Sequence, residues 1–166
     1  MPYLSRSKRA TQQYAAALAR DITGSYEVKL RKSEGAAVVA LEGELGAGKT
    51  AFAQGFAAAL GVKERVLSPT FIMMNIYDLP RPRNRKAGAR PRYRHFVHID
   101  CYRIGSPDEL LHLGLAAILK DPDAIVLIEW ADRIKKLLPP ETVWMRFVHG
   151  GKSNERVIEA SRSKFI

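Results

Sequence analysis

Two stretches of the chain are apolar without a break, Ala36 to Leu41 (AAVVAL) and Ala124 to Ile128 (AIVLI). Runs of that length predict strands buried on both faces, because a strand with one wet face would alternate. Elsewhere the pattern is periodic. Thr11 to Arg20 places Tyr14, Leu18 and several alanines on one helical face, with Thr11 as a candidate N-cap. Thr50 to Leu60, rich in Ala and Phe, has helical spacing, and Gly61 follows as a C-cap. Ser106 as N-cap, Pro107 at the first position and Asp108 and Glu109 in the first turn predict a helix over Pro107 to Leu119. Phe71 to Tyr77 and Tyr93 to Tyr102 are β-like and able to pair as a hairpin. Between them, Pro80 to Pro91 is loop by its Pro, Arg and Gly content. Val143 to Val148 and Arg156 to Ala160 look like late strands, and Tyr26 to Leu30 is compatible with a short one. Such an order argues for a mixed sheet with helices on its faces.

The 166 residues suit a single domain, 1–166, with one sizeable core. Residues 1–10 are expected to form a flexible tail and residues 80–92 a basic loop insertion. The apolar fraction of 46% argues against wholesale disorder. Lys and Arg total 27 against 17 Asp and Glu, a formal charge of +10. That excess suits polyanionic partners or, equally, a merely soluble basic surface. Cys101, the only cysteine, cannot make an internal disulfide or a cysteine-based zinc site. The chain contains no apolar run long enough to span a membrane, and its basic start lacks the apolar segment of a secretory signal. A cytoplasmic protein is expected.

Gly43-Glu-Leu-Gly-Ala-Gly48-Lys49-Thr50 fits G-x-x-x-x-G-K-[ST] without a mismatch. Glycines permit positive φ and let phosphate oxygens approach backbone N–H groups. The following helix turns its positive end toward them, Lys49 adds a cation for the β- and γ-phosphates, and the Thr50 hydroxyl is suited to Mg²⁺. Nucleotide-binding positions are therefore Glu44, Leu45, Gly46, Ala47, Gly48, Lys49, Thr50 and Ala51. The motif follows a buried-strand pattern and opens a helix, as its chemistry requires. The expected fold is α/β, a P-loop NTPase-like three-layer arrangement with a mixed central sheet.

A phosphate loop needs acidic groups at neighbouring strand ends. Glu129 follows AIVLI directly, the Walker B location, although a strand-end Glu can simply reach solvent. In His98-Ile99-Asp100-Cys101-Tyr102-Arg103, alternation puts His98, Asp100 and Tyr102 on one face. Val97, Ile99 and Cys101 take the apolar face, so Cys101 reads as a small core residue. His98 alone is more often structural than catalytic, and Asp100 has Arg103 as a possible ion-pair partner. Ser68-Pro69-Thr70-Phe71 is a turn before a strand, with a hydroxyl placed to sense a γ-phosphate.

GELGAGKT, SPTF, HIDCYRI, ELLHLGL and IVLIEWADRI, in that order, resemble the TsaE (YjeE) family over about Thr11 to Ala160. The resemblance implies a small P-loop ATPase that binds ATP and Mg²⁺. It implies association with TsaD and TsaB proteins in making threonylcarbamoyladenosine in tRNA, without transferring the threonylcarbamoyl group itself. By resemblance Thr70 is the switch threonine, Asp100 the metal-linked aspartate, Glu129 the Walker B glutamate and Trp130 the tryptophan beside the nucleotide. Lys49, Asp100 and Glu129 are then the catalytic candidates, and Thr50, Asp100 and Glu129 the metal candidates.

One segment departs from the family pattern. Arg81 to Arg94 carries Arg81, Arg83, Arg85, Lys86, Arg90, Arg92 and Arg94 with no acidic residue. It is either a solvated loop or a contact for tRNA. A small-molecule kinase with an Arg-rich lid and a non-catalytic nucleotide-gated assembly factor are the competing readings. A GTPase is disfavoured by the lack of an Asn/Thr-Lys-x-Asp segment.

Overall fold

A computed structural model describes residues 2–24, 34–64, 66, 73–80 and 93–161. In chain order the elements are β1 (Tyr3–Ser5), α1 (Lys8–Gly24), β2 (Ala37–Gly43), α2 (Lys49–Leu60), β3 (Met74–Asp78) and β4 (His95–Asp100). They continue with α3 (Pro107–His112), α4 (Leu115–Leu119), β5 (Ala124–Glu129), a 3₁₀ segment (Ala131–Leu137), β6 (Val143–His149) and β7 (Arg156–Ser161). The seven strands form one sheet in the order β1-β7-β6-β2-β5-β4-β3. β6, β2, β5 and β4 run parallel, and β3, β7 and β1 add antiparallel edges. The expected mixed sheet is therefore present, with its two uninterrupted apolar runs as the central pair.

Strand alternation divides the core in two. Val39, Leu41, Ile125, Leu127, Phe96, Met145 and Phe147 face α1 and α2. Val38, Ala40, Val126, Ile128, Val97 and Ile99 face α3, α4 and the 3₁₀ segment. Phe52 of α2 meets Phe147 edge-on at 5.5 Å, a pairing that contributes about 0.5–1.5 kcal/mol beyond its buried area. Gly55 lets α1 and α2 touch backbone to backbone, since a Cβ there would stand 2.5 Å from Gln12 Cα and O. Packing of this kind holds the start of α2 rigidly against the sheet. Among the described residues no helix is long and apolar enough to cross a membrane.

Several expectations need correction. Residues 3–10 are not a flexible tail: Tyr3–Ser5 pairs with β7, and α1 begins at Lys8 rather than Thr11. The helix expected over Pro107 to Leu119 is two short helices. Ser106 does cap the first, in a capping box with Glu109. The backbone then turns left-handed at Gly114 (φ 88°) and restarts at Leu115. The 3₁₀ segment has no counterpart among the expected elements. The strand expected over Tyr26 to Leu30, the turn Ser68 to Phe71 with Thr70, and the basic positions 81–92 lie outside the described residues.

Candidate nucleotide-binding site

β2 ends at Gly43, and the chain reaches α2 through a loop with three left-handed glycines, Gly43, Gly46 and Gly48 (φ 137°, 75° and 101°). An L side chain would be strained at each, and a Cβ on Gly43 would also run into the Phe147 carbonyl of β6. Gly48 is the N-cap of α2, and no side chain caps that end. The amides of the first turn therefore keep the capacity to bind an anion. The loop tip is propped from β6: the His149 ring nitrogen Nε2 lies 3.2 Å from the Leu45 carbonyl and 3.9 Å from a Glu44 carboxyl oxygen. Leu45 itself points outward, whereas Ala47 is buried.

Lys49 is buried within this loop. Its Nζ donates to the Gly43 carbonyl at 2.6 Å and the Glu44 carbonyl at 2.8 Å. The Trp130 ring covers it, with Nζ 3.7 Å from the ring centroid, a cation–π contact. Burial pushes the Lys49 ammonium below its usual pKa, against the opposing pull of Glu129, Asp100 and Asp132. Trp130 reaches this position through a left-handed backbone (φ 57°, ψ 39°) directly after β5. For a bulky residue that conformation costs about 1–2 kcal/mol. Tyr102 packs on the same indole at 5.0 Å, and the Arg133 guanidinium lies about equally far from both rings, at 5.9 and 6.0 Å.

Alternation explains how the acidic groups arrive here. Phe96 of β4 and Ile125 and Leu127 of β5 face α2, so His98, Asp100 and Glu129 do too. The parallel register sets Asp100 beside Glu129 at the C-terminal ends of neighbouring strands. Thr50 Oγ1 donates to Glu129 Oε2 at 2.8 Å, linking the phosphate loop to the second strand. His98 Nε2 lies 3.0 Å from the other oxygen, Glu129 Oε1. Asp100 Oδ1 accepts from the Tyr102 amide at 2.9 Å, which turns the chain away at the end of β4.

Lys49, Thr50, Asp100, Glu129 and Trp130, marked in the sequence as site residues, thus converge. Thr70 lies outside the described residues. Sequence reasoning passes over His149, the contact of Arg133 with Tyr102 and the ring contact of His98 with Glu129, because each depends on a neighbour remote along the chain. Cys101 is buried on the opposite face and its thiol is pushed up to about 12, chiefly by burial, as befits a core residue.

A hydroxyl and two carboxylates make an all-oxygen donor set, which suits a hard cation such as Mg²⁺. Among the described residues no three His, Cys, Asp or Glu side chains form a metal cage.

The sequence model of the threonylcarbamoyl adenosine biosynthesis protein TsaE matches residues 5–158. A tRNA threonylcarbamoyladenosine biosynthesis protein TsaE of Treponema pallidum is 34% identical over 113 residues, 68% of this chain and 73% of the relative. The Bacillus subtilis protein of the same name is 36% identical over 120 residues, 72% of this chain and 66% of the relative. The crystal structure of YdiB from B. subtilis superposes with a TM-score of 0.68 at 26% identity, covering 98% of this chain and 85% of that one. With the family match spanning nearly all of the sheet that assembles the phosphate loop and its two carboxylates, the chain belongs to the TsaE family.

Proposed function

We propose that this chain binds Mg-ATP on the Gly43–Thr50 loop and hydrolyses it as an accessory ATPase. It would do so in the cytoplasm, with TsaB- and TsaD-type proteins, in forming threonylcarbamoyladenosine in tRNA. The observation that carries this reading is the Thr50–Glu129 hydrogen bond. It joins the Thr50 hydroxyl to the carboxylate at the end of the neighbouring strand, which supports reading the two as a Walker A and Walker B pair.

The geometry supports a role for each residue. The uncapped end of α2 and the left-handed glycines bind phosphate oxygens. Lys49 exchanges its two carbonyl partners for phosphate oxygens, which form stronger charge-assisted bonds. When bound, Mg²⁺ supplies positive charge to the β- and γ-phosphates. Thr50, Asp100 and Glu129 would hold the metal or its water shell, and Glu129 would also orient the attacking water. Trp130 shelters Lys49 from solvent and would flank the nucleotide. Thr70, by its family resemblance, would sense the γ-phosphate.

The test is Glu129→Gln at saturating Mg-ATP with TsaB, TsaD and tRNA present. Turnover should fall roughly a hundredfold or more, the scale of a lost catalytic base, with ATP affinity much less affected. Wild-type turnover would remove the assignment. A variant that no longer hydrolyses ATP yet sustains tRNA modification would favour the gated assembly factor.

A further inference from the structure

His98 is a buried polar group beside the site that those roles leave unused. Its ring is fully buried in β4 and stacks near Phe96, with centroids 6.3 Å apart. Nε2 lies 3.0 Å from Glu129 Oε1, while Nδ1 has no hydrogen-bond partner among the described residues. An unpaired buried nitrogen costs about 1–3 kcal/mol, a penalty that a purely apolar side chain at this place would not carry. Packing alone therefore does not account for a histidine here. Its one polar contact is with the carboxylate that faces the phosphate loop.

That contact has a definite geometry. A carboxylate only accepts, so at this contact Nε2 carries the proton and donates. Thr50 grips Glu129 Oε2 from α2 while His98 grips Oε1 from β4. Two donors from two elements fix the rotation of the carboxyl plane. Were Thr50 to hold a metal instead, His98 would remain as the donor from the sheet. Its own ring cannot drift, being enclosed in the core.

We infer that His98 is a positioning residue for Glu129, acting through its Nε2–H donor without touching nucleotide or metal. This rests on the proposed role of Glu129. Residues that orient a metal-site carboxylate or its partners typically change metal affinity or activity by 10–100-fold when lost.

Two measurements on the full chain test it. Nitrogen NMR of the wild-type imidazole, without nucleotide, should show Nε2 protonated; a ring with Nε2 unprotonated would overturn the inference. Turnover at saturating Mg-ATP and ATP affinity by calorimetry are then compared in His98→Phe and His98→Gln. Phe fills the ring space without a donor, whereas the Gln amide nitrogen stands near the position of Nε2. His98→Phe should lower turnover about 10–100-fold with ATP affinity unchanged, and His98→Gln should recover most of the loss. A core-filling histidine would shift melting temperature in both variants without separating turnover from affinity, and that result refutes the inference. Wild-type turnover in His98→Phe, with Glu129→Gln inactive, removes the role of His98 and leaves that of Glu129. Wild-type turnover in Glu129→Gln as well removes both. Should His98→Phe not fold, the protonation of Nε2 and His98→Gln still decide.

Discussion

Thr50→Val keeps the branched shape of the side chain but deletes the hydroxyl that donates to Glu129 Oε2 at 2.8 Å. Glu129 is 2% exposed, so water cannot replace the donor without opening the site. A hydrogen bond to a charged group contributes about 1.5–3 kcal/mol. For a domain of this length each kcal/mol moves Tm by roughly 2–4 °C. Without nucleotide, Thr50→Val should therefore melt about 3–12 °C below wild type. Thr50→Ser, which retains the hydroxyl, should recover most of that loss. Calorimetric melts supply the numbers, and a double-mutant cycle with Glu129→Gln isolates the pair. Groups in direct contact should show a coupling of about 0.5–3 kcal/mol instead of additive losses. The same hydroxyl is a proposed metal ligand, so the Mg²⁺-dependent part of ATP affinity should disappear too. A wild-type melt for Thr50→Val, together with an additive cycle, would refute the reasoning.

Lys49→Ala should weaken ATP binding by about 1.5–3 kcal/mol, roughly ten- to hundredfold, because an ammonium among phosphates makes charge-assisted bonds; calorimetry at fixed Mg²⁺ checks it. Burial lowers the Lys49 pKa below 10.5, so ATP affinity should decline with rising pH from a break below that value; a break at or above 10.5 contradicts the burial effect. Stability of the nucleotide-free protein should gain from this lysine over the same interval, since the unfolded chain there holds the proton that the folded chain has lost, a rise that denaturant titrations at successive pH values would detect. With its thiol pushed up to about 12 and wholly buried, Cys101 should resist iodoacetamide at pH 8 in the native protein and react fully in denaturant, as mass spectrometry would report.

What was legible in the sequence was local. β2 and β5 announce themselves because burial on both faces leaves no polar position in the run. The phosphate loop is equally plain, since left-handed turns against a neighbouring strand demand glycine at fixed spacing. The break at Gly114 was visible as a residue but hidden by apolar spacing that continues through it. β1 offers three residues and no period to detect; it exists because β7 presents an open edge. The 3₁₀ segment is similarly opaque, kinked at Ile134 where the backbone leaves helical values. At the site, Lys49, Thr50 and Glu129 follow from spacing and strand ends, whereas Trp130 needed a resemblance to known relatives. His98 meets Glu129, 31 residues on, only through the parallel register of β4 and β5, which no local pattern encodes.

The pairing of Tyr3, Leu4 and Ser5 with Ile158, Val157 and Arg156 also bears on how the molecule comes together. About as large a separation as the chain allows lies between those partners, so the loop they close is among its most demanding entropically. During synthesis β1 has no strand to join until β7 has emerged, and the Tyr3 ring, stacked at 4.3 Å on Tyr14, has only α1 for company. A nascent chain halted before residue 156 lacks β7 but already carries the parallel strands and the phosphate-loop residues. Its β6 edge would stay unpaired, however, a row of open backbone groups able to recruit another chain. β7 covers that edge, and β1 then leaves a strand of only three residues on the outside.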